Sequence, residues 1–340
     1  MAKAIALFSG GLDSTLAIFA ILRQGIDVYA VKFTTNFESN FSLRTYSKHV
    51  SSVSRKYGFG VEVVHLGQKF IETVLSPDHG YGKNMNPCID CRILMLREIN
   101  GLMDKIGADF IVTGEVLGQR PMSQRKDMLY HIDKEAGLSG YVVRPLSARL
   151  LKISVPEEKG IIDRERLYSI TGRSRKAQIA LAKEFGLAEY PSPAGGCLLT
   201  EPNFARRLRD LLKYKGTCDV RDIDLLKVGR HFRVGLCKII VGRDKSENEK
   251  IESMRRGGDY LLKVEGHGSP LTLVTGHITE EALNVAASLC ARYSDAKRLS
   301  DVEVTAFGTD GAMLRIKVRP AGRSLLDSCG IEKKSESLVN

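Results

Sequence analysis

Nowhere does the chain carry an apolar run approaching the roughly 20 residues that span a bilayer, so no membrane-spanning helix is expected. Met1-Ala2-Lys3 runs straight into Ala4-Ile5-Ala6-Leu7-Phe8, without the layout of a secretory signal, and a cytoplasmic location is expected. Seven cysteines in a reducing compartment argue against a disulfide framework and for metal chemistry, redox chemistry or simple burial. No internal repeat is present. Acidic residues fall short of basic ones, 40 against 51, which leaves a formal charge of +11. A polyanionic partner is expected from that balance, with nucleic acid the first choice.

The 340 residues leave room for two or three domains. Residues 1–150 alternate short apolar strands (4–8, 28–33, 61–65, 110–113 and 141–144) with helical stretches near 14–24, 43–57 and 91–106. This alternation predicts an α/β fold, a parallel sheet sandwiched by helices with right-handed crossovers. Ligands of such sheets bind beyond the carboxyl ends of the strands. Residues 151–217 read as a basic helical segment, with Arg173-Ser174-Arg175-Lys176 opening one helix and 203–214 forming another. Between them Tyr190-Pro191-Ser192-Pro193-Ala194-Gly195-Gly196-Cys197 forms a loop that its prolines and glycines keep irregular. From 218 to 330, six short strands (232–234, 238–241, 260–264, 271–274, 302–307 and 313–318) and helices near 248–256 and 280–293 predict a smaller α+β domain. A polar tail, 331–340, follows.

Ser9-Gly10-Gly11-Leu12-Asp13-Ser14-Thr15 is the most informative stretch, because it joins the first apolar strand to a helix start through small residues. Backbone N–H groups and the positive helix end then point at an anion, which the glycines let approach. The spacing is not that of the GxxxxGK[ST] loop, and no lysine ends it. It resembles the PP-loop, S-G-G-x-D-S, of the ATP pyrophosphatases, which cleave ATP between the α and β phosphates and adenylate an oxygen of their substrate. The resemblance implies the adenine nucleotide alpha hydrolase-like fold and ATP bound by Ser9, Gly10, Gly11, Asp13, Ser14 and Thr15, with Phe33, Gly114 and Gln119 completing the site. The hydroxyls of Ser9, Ser14 and Thr15 are expected to donate to phosphate oxygens. Asp13 is the expected Mg2+ ligand, since a pyrophosphate leaving group needs a hard cation held by a carboxylate.

Three cysteines stand in unusual sequence. Asn86-Pro87-Cys88-Ile89-Asp90-Cys91 places a CxxC immediately before a helix, where thiol pKa values are expected to fall, and Cys197 ends the Pro/Gly-rich loop. Structural zinc wants a fourth N or S ligand, which no neighbouring residue supplies. Three thiolates with an open fourth position suit a 4Fe–4S cluster, and persulfide chemistry without a cluster is the alternative. Cys218, Cys237, Cys290 and Cys329 stand singly and are expected to be buried.

Thr113-Gly114-Glu115-Val116-Leu117-Gly118-Gln119 with Ser123-Gln124, Arg144-Pro145-Leu146 and the CxxC resemble the tRNA 4-thiouridine synthetases, and Ser192–Thr200 (Ser-Pro-Ala-Gly-Gly-Cys-Leu-Leu-Thr) resembles a segment of PP-loop tRNA thiouridylases. The resemblance covers about the first 215 residues. It departs from the family in two ways. The family's THUMP domain precedes its loop, whereas here the loop starts at residue 9, and Arg120-Pro121-Met122 replaces the family's Val-Ala. ATP-dependent thiolation of a tRNA uridine is implied, making the chain a tRNA sulfurtransferase. The uracil oxygen would be adenylated, and sulfur held at Cys88, Cys91 and Cys197 would displace AMP. Gln119, Ser123 and Gln124 would hold the adenosine or the target base, and Glu115 would orient magnesium or water. His65 and His131 have no part in this scheme. No rhodanese-like domain follows, so sulfide or an external persulfide carrier is the expected donor. A homodimer is compatible with the sequence. Two other readings are a PP-loop amidotransferase or ligase acting on a small substrate, and an RNA- or ribosome-binding module with a vestigial ATP site.

Val241-Gly242-Arg243-Asp244-Lys245, Gly257-Gly258-Asp259-Tyr260 and Gly266-His267-Gly268-Ser269-Pro270 are similar to the RNA-binding domain of NFACT ribosome-quality-control proteins. Arg230, Arg233, Lys238, Arg243 and Lys245 are candidate phosphate contacts, extended by Arg206, Arg207, Arg209, Lys213 and Lys215.

Overall fold

The segment Lys-Ala-Ile-Ala-Leu (β1, Lys3–Leu7) is apolar on both faces, and in the computed structural model it lies at the centre of a parallel sheet. The structure describes residues 2–38, 58–187 and 197–332. The helix expected at 43–57 and the loop residues 190–196 lie outside them. The chain divides into two units, Met1–Cys197 and Leu198–Asn340, so the helical segment expected over 151–217 is shared between them.

In the first unit β1 is flanked by β2 (Asp27–Thr34) and β4 (Phe110–Thr113), with β3 (Gly60–His65) and β5 (Val142–Val143) outermost, all parallel. Ala4, Ile5 and Ala6 are fully buried, as expected of a parallel strand covered on both faces. Helix α1 (Leu12–Leu22) packs Leu12, Leu16, Ile18 and Ile21 into the core beside Leu181 and Ala182 of α6 (Lys176–Glu184). Between these lie α2 (Gly67–Leu75), α3 (Cys88–Ile106), α4 (Lys126–Glu135) and the short α5 (Val155–Glu158). The strand order 3-2-1-4-5 reverses between β1 and β4. The loops leaving these two neighbours therefore diverge and open a crevice at their carboxyl ends.

The second unit is a six-stranded antiparallel sheet. After α7 (Pro202–Lys215) and α8 (Val220–Leu226) come β6 (Arg230–Val234), β7 (Cys237–Val241), α9 (Lys245–Ser253), β8 (Tyr260–Val264), β9 (Thr272–Gly276), α10 (Glu280–Arg292), β10 (Val302–Gly308), β11 (Met313–Val318) and α11 (Arg323–Cys329). The sheet order is 11-10-8-9-7-6. Period-two alternation serves both faces. Ile239, Val241, Leu262 and Val274 pack with Leu283, Ala286 and Cys290 of α10, while Ile240, Leu261 and Leu273 pack with Leu225 and Ile251. All six expected strands form, four of them a residue or two longer than the sequence pattern indicates. The short helices α2, α4, α8 and α11, seven to ten residues each, were not anticipated, although α2 and α4 each keep one apolar face that is buried in the fold.

One glycine fixes how close the two crevice loops lie. A Cβ on Gly114, just past β4, would sit 2.5 Å from both the Cα and the N of Ser14 and 2.7 Å from the carbonyl carbon of Asp13. These obstacles are backbone atoms that cannot rotate away. Gly114→Ala should therefore destabilise the fold by about 1–3 kcal/mol as an overpacked site does, measured by urea denaturation, and distort the neighbouring loop.

Candidate active site

The turn after β1 is held by its own side chains. Gly10 adopts a left-handed φ of 79°, which only glycine takes without strain. Ser14 Oγ donates to the Gly11 carbonyl at 2.9 Å and Thr15 Oγ1 to the same oxygen at 3.0 Å. Ser9 Oγ lies 3.0 Å from Ser14 Oγ and accepts from the Gly11 amide at 3.3 Å. The hydroxyls expected on phosphate thus also shape the loop. The loop borders a cavity of about 550 Å³, lined also by Gly114, Glu115, Gln119 and Gln124 from the opposite crevice loop. Phe33 and Ser123 are buried and do not line it.

Four cations that the sequence reading left out of the site face this cavity: Lys32, Arg92, Arg120 and Arg175. Arg175 Nε is buried without a hydrogen bond. Burial pulls the Lys32 amine down to about 8 against the raising influence of Glu38. Arg120, one of the residues departing from the family pattern, thus brings a guanidinium to the cavity. Gln119 Nε2 donates to Asp13 Oδ2 at 3.1 Å, joining the two loops. Asp13 Oδ1 is buried and accepts no hydrogen bond. An orphaned carboxylate oxygen at the mouth of a cation-lined cavity fits a hard divalent metal ion.

Glu115, expected to orient magnesium or water, lines the cavity with its Oε1 free of hydrogen bonds, and cations hold the carboxylate in place. Its Oε1 pairs with Arg92 at 3.1 Å, and its Oε2 accepts from Arg144 Nε at 3.0 Å and from Thr113 Oγ1 at 3.1 Å. Arg144 in turn grips Asp133 through two bonds of 2.7 Å. Burial alone would raise the Glu115 carboxyl; Arg92 and Arg144 outweigh it and hold it below its usual range. This chain of charges fixes Arg92 at the cavity wall, a positioning role.

Cys88 and Cys91 lie inside the first turn of α3, which begins three residues earlier than the sequence pattern indicates. Their thiols are raised, not lowered. Burial pushes Cys91 up to about 12, with Arg92 opposing and Cys197 and Cys88 adding to it; burial also raises Cys88 against Arg120 and Arg92. The mutual influence places the three sulfur atoms in one neighbourhood, with Cys197 bridged to Glu38 after β2. The donor chemistry suits iron–sulfur ligation, but among the described residues no three His, Cys, Asp or Glu side chains stand at metal-holding spacing. Cys218, Cys237, Cys290 and Cys329 are buried as expected. His65 is tied to Thr34 and Asn36. His131 meets His79 Nε2 at 2.8 Å, and His79 Nδ1 meets Asp90 at 2.8 Å, a row invisible in the sequence because 52 residues separate the two histidines.

The expected basic surface of the second unit is partly internal. Arg207 is buried, bonded to Glu332 and to the carbonyls of Leu226 and Gly229, so it holds α7 to the sheet instead of facing RNA. Lys238 is also buried, and Arg233 is held by Asp210. Arg243 and Lys245 are exposed, Arg206 and Arg230 half-buried.

Lys32 gives the cavity a pH signature. Because a bound anion raises the amine's pKa, affinity for inorganic pyrophosphate should hold below about pH 8, then fall as the free lysine loses its proton. Calorimetric titration should show that fall, and Lys32→Met should bind about tenfold more weakly at pH 7, without the lysine's share of the pH dependence.

Residues 1–149 match the family model described as thiamine biosynthesis protein (ThiI), and residues 229–328 match the NFACT protein RNA binding domain. A tRNA-specific 2-thiouridylase MnmA of Xanthobacter autotrophicus is 26% identical over 260 residues, covering 72% of this chain and 62% of the relative. A probable tRNA sulfurtransferase of Thermococcus kodakarensis is 28% identical over 146 residues, covering 42% and 36%. The chain thus spans less than two thirds of the length of either relative. A crystal structure of a 4-thiouridine synthetase–RNA complex with bound ATP aligns at 22% identity and a TM-score of 0.41, over 66% of this chain and 52% of that one. The chain is thus similar to ThiI over residues 1–149, within the first unit, and to the NFACT RNA binding domain over residues 229–328, within the second.

Proposed function

We propose that the protein is an ATP-dependent tRNA sulfurtransferase that replaces a uridine oxygen by sulfur. The observation that carries this reading is a single turn of α3. Cys88 and Cys91 stand in it, and the next residue, Arg92, lines the cavity beside the PP-loop. Phosphate and sulfur chemistry are therefore neighbours in one domain. Relatives named for tRNA thiolation and the NFACT RNA-binding match support tRNA as substrate.

In this reading ATP lies with its phosphates over the Gly10–Gly11 turn, where α1 begins and its unpaired N–H groups point. Lys32, Arg92, Arg120 and Arg175 offset the phosphate charge. Mg2+ on Asp13, when bound, would supply Lewis-acid stabilisation to the leaving pyrophosphate. The uracil carbonyl oxygen attacks the α-phosphorus, the α–β bridging bond breaks, and the base carries AMP. Adenylation is needed because oxide is a very poor leaving group. Sulfur at Cys88, Cys91 and Cys197 then displaces AMP. A 4Fe–4S cluster on these three thiolates, when bound, would present that sulfur on its open iron. With sulfide as donor, hydrosulfide attacks the ring carbon, the C–O bond breaks and AMP leaves; with an external persulfide carrier, a second cysteine thiol would in addition attack the S–S bond and end as a disulfide, supplying the two electrons. Gln119 keeps Asp13 oriented, and Gln124 offers a buried carbonyl oxygen without a hydrogen bond to an amino group of the nucleotide or base.

Asp13→Ala should lower ATP-dependent pyrophosphate release and tRNA thiolation at least a hundredfold, read by a pyrophosphate assay with and without tRNA and by nucleoside mass spectrometry. Release that needs no tRNA would favour a small-substrate ligase, and undiminished thiolation would remove Asp13 from the mechanism. Anaerobically purified protein should contain iron and acid-labile sulfide, both lost in Cys197→Ala; zinc alone would overturn the cluster.

A further inference from the structure

The second unit has a pocket of its own, about 290 Å³ in volume. Along its sheet side runs a row of cross-strand neighbours: strand register sets Arg233 of β6 beside Lys238 of β7, and Lys238 beside Thr275 of β9. Leu211 and Tyr214 of α7, Leu225 of α8 and Ile240 supply apolar and aromatic walls. Two helices that precede the matched RNA-binding segment, α7 and α8, supply six of its thirteen lining residues.

Lys238 is 5% exposed, yet its Nζ makes no hydrogen bond; the nearest anion, Asp210 Oδ2, stands 3.7 Å away. Asp210 is already engaged by Arg233 Nε at 3.1 Å. A buried ammonium with unused donors is costly, and the protonated lysine, the form below about pH 7 in which the pocket is to be tested, has no acceptor with which to answer another donor. The site therefore calls for a ligand oxygen at depth. Burial pulls this amine down to about 7, with Asp210 opposing and Arg233 and Arg207 reinforcing. At the mouth, the Arg233 guanidinium lies 4.5 Å from the ring centroid of Tyr214, whose ring is partly exposed. Planar groups at the opening, apolar walls and a donor within suit a flat heterocycle with a carbonyl oxygen.

We propose that this pocket receives one unpaired base of the bound RNA and selects uracil or guanine, whose O4 or O6 accepts from Lys238 Nζ. Cytosine and adenine carry an amino donor at the equivalent position, which opposes an ammonium. The proposal rests on the RNA-binding reading above and adds base selectivity to it.

The test measures binding of the full chain to labelled single-stranded U9, A9, C9 and a C9 oligomer with one central G. U9 should bind about tenfold more tightly than A9 or C9, the central G should restore most of that difference, and Lys238→Met should bring U9 to the A9 level. Tyr214→Ala, at a partly exposed position, should weaken U9 about fivefold or more through lost stacking. Equal affinity for U9, A9 and C9, or a U9 preference that survives in Lys238→Met, overturns the pocket while leaving RNA binding intact. Failure of every oligomer to bind overturns both.

Discussion

The contact between Gly114 and the first turn of α1 is the constraint on which the nucleotide cavity depends. Backbone meets backbone there with no room for a methyl group. It brings the loop after β4 against the loop after β1, so that Gln119 reaches Asp13 and two segments a hundred residues apart form one wall. A glycine is needed for the absence of a side chain, a different reason from that at Gly10, where the backbone turns left-handed.

Around that contact the charges are arranged in two layers. Lys32, Arg92, Arg120 and Arg175 face the cavity, a concentration of positive charge, offset in part by Glu38 and Glu115, that suits a polyanion. Behind them, Glu115, Arg144 and Asp133 form a buried network. Its members satisfy one another, and breaking such a network leaves an unpaired charge in a low-dielectric interior. Its contribution to function is indirect: it holds Arg92 where cavity and thiols meet. Glu115 and Asp13 each keep one buried oxygen without a hydrogen bond, but that of Glu115 lies 3.1 Å from the Arg92 guanidinium, an ion pair that Asp13 Oδ1 lacks.

The second unit follows the same logic with a different outcome. Most of its expected RNA-facing cations are shared between surface and interior. Arg207, in the run Arg206-Arg207-Leu208-Arg209, and Lys238, between Cys237 and Ile239, both count in the sequence as positive charge. Arg207 finds two backbone carbonyls and Glu332, whereas Lys238 finds no acceptor within hydrogen-bonding reach. Composition records both as positive charge; only packing separates a structural cation from one that seeks a ligand.

Much of the fold and the centre of the site were legible in the sequence because they depend on local periodicity and local turns. The five parallel strands, the antiparallel domain, the Ser9–Thr15 loop and the Cys88–Cys91 pair at a helix start all have signatures within a few residues. The cations Lys32 and Arg175 at the cavity, the ion pairs of Glu115 and the pairing of His79 with His131 have none. They arise when segments 50 to 150 positions apart are brought within a few ångströms, where burial and neighbouring charges set what each group can do. The sequence alone determined which chemistry was present, since loop residue types and apolar spacing are local properties. Tertiary structure alone decided which charged groups are satisfied and which remain open, because a hydrogen-bond partner is a matter of position in space.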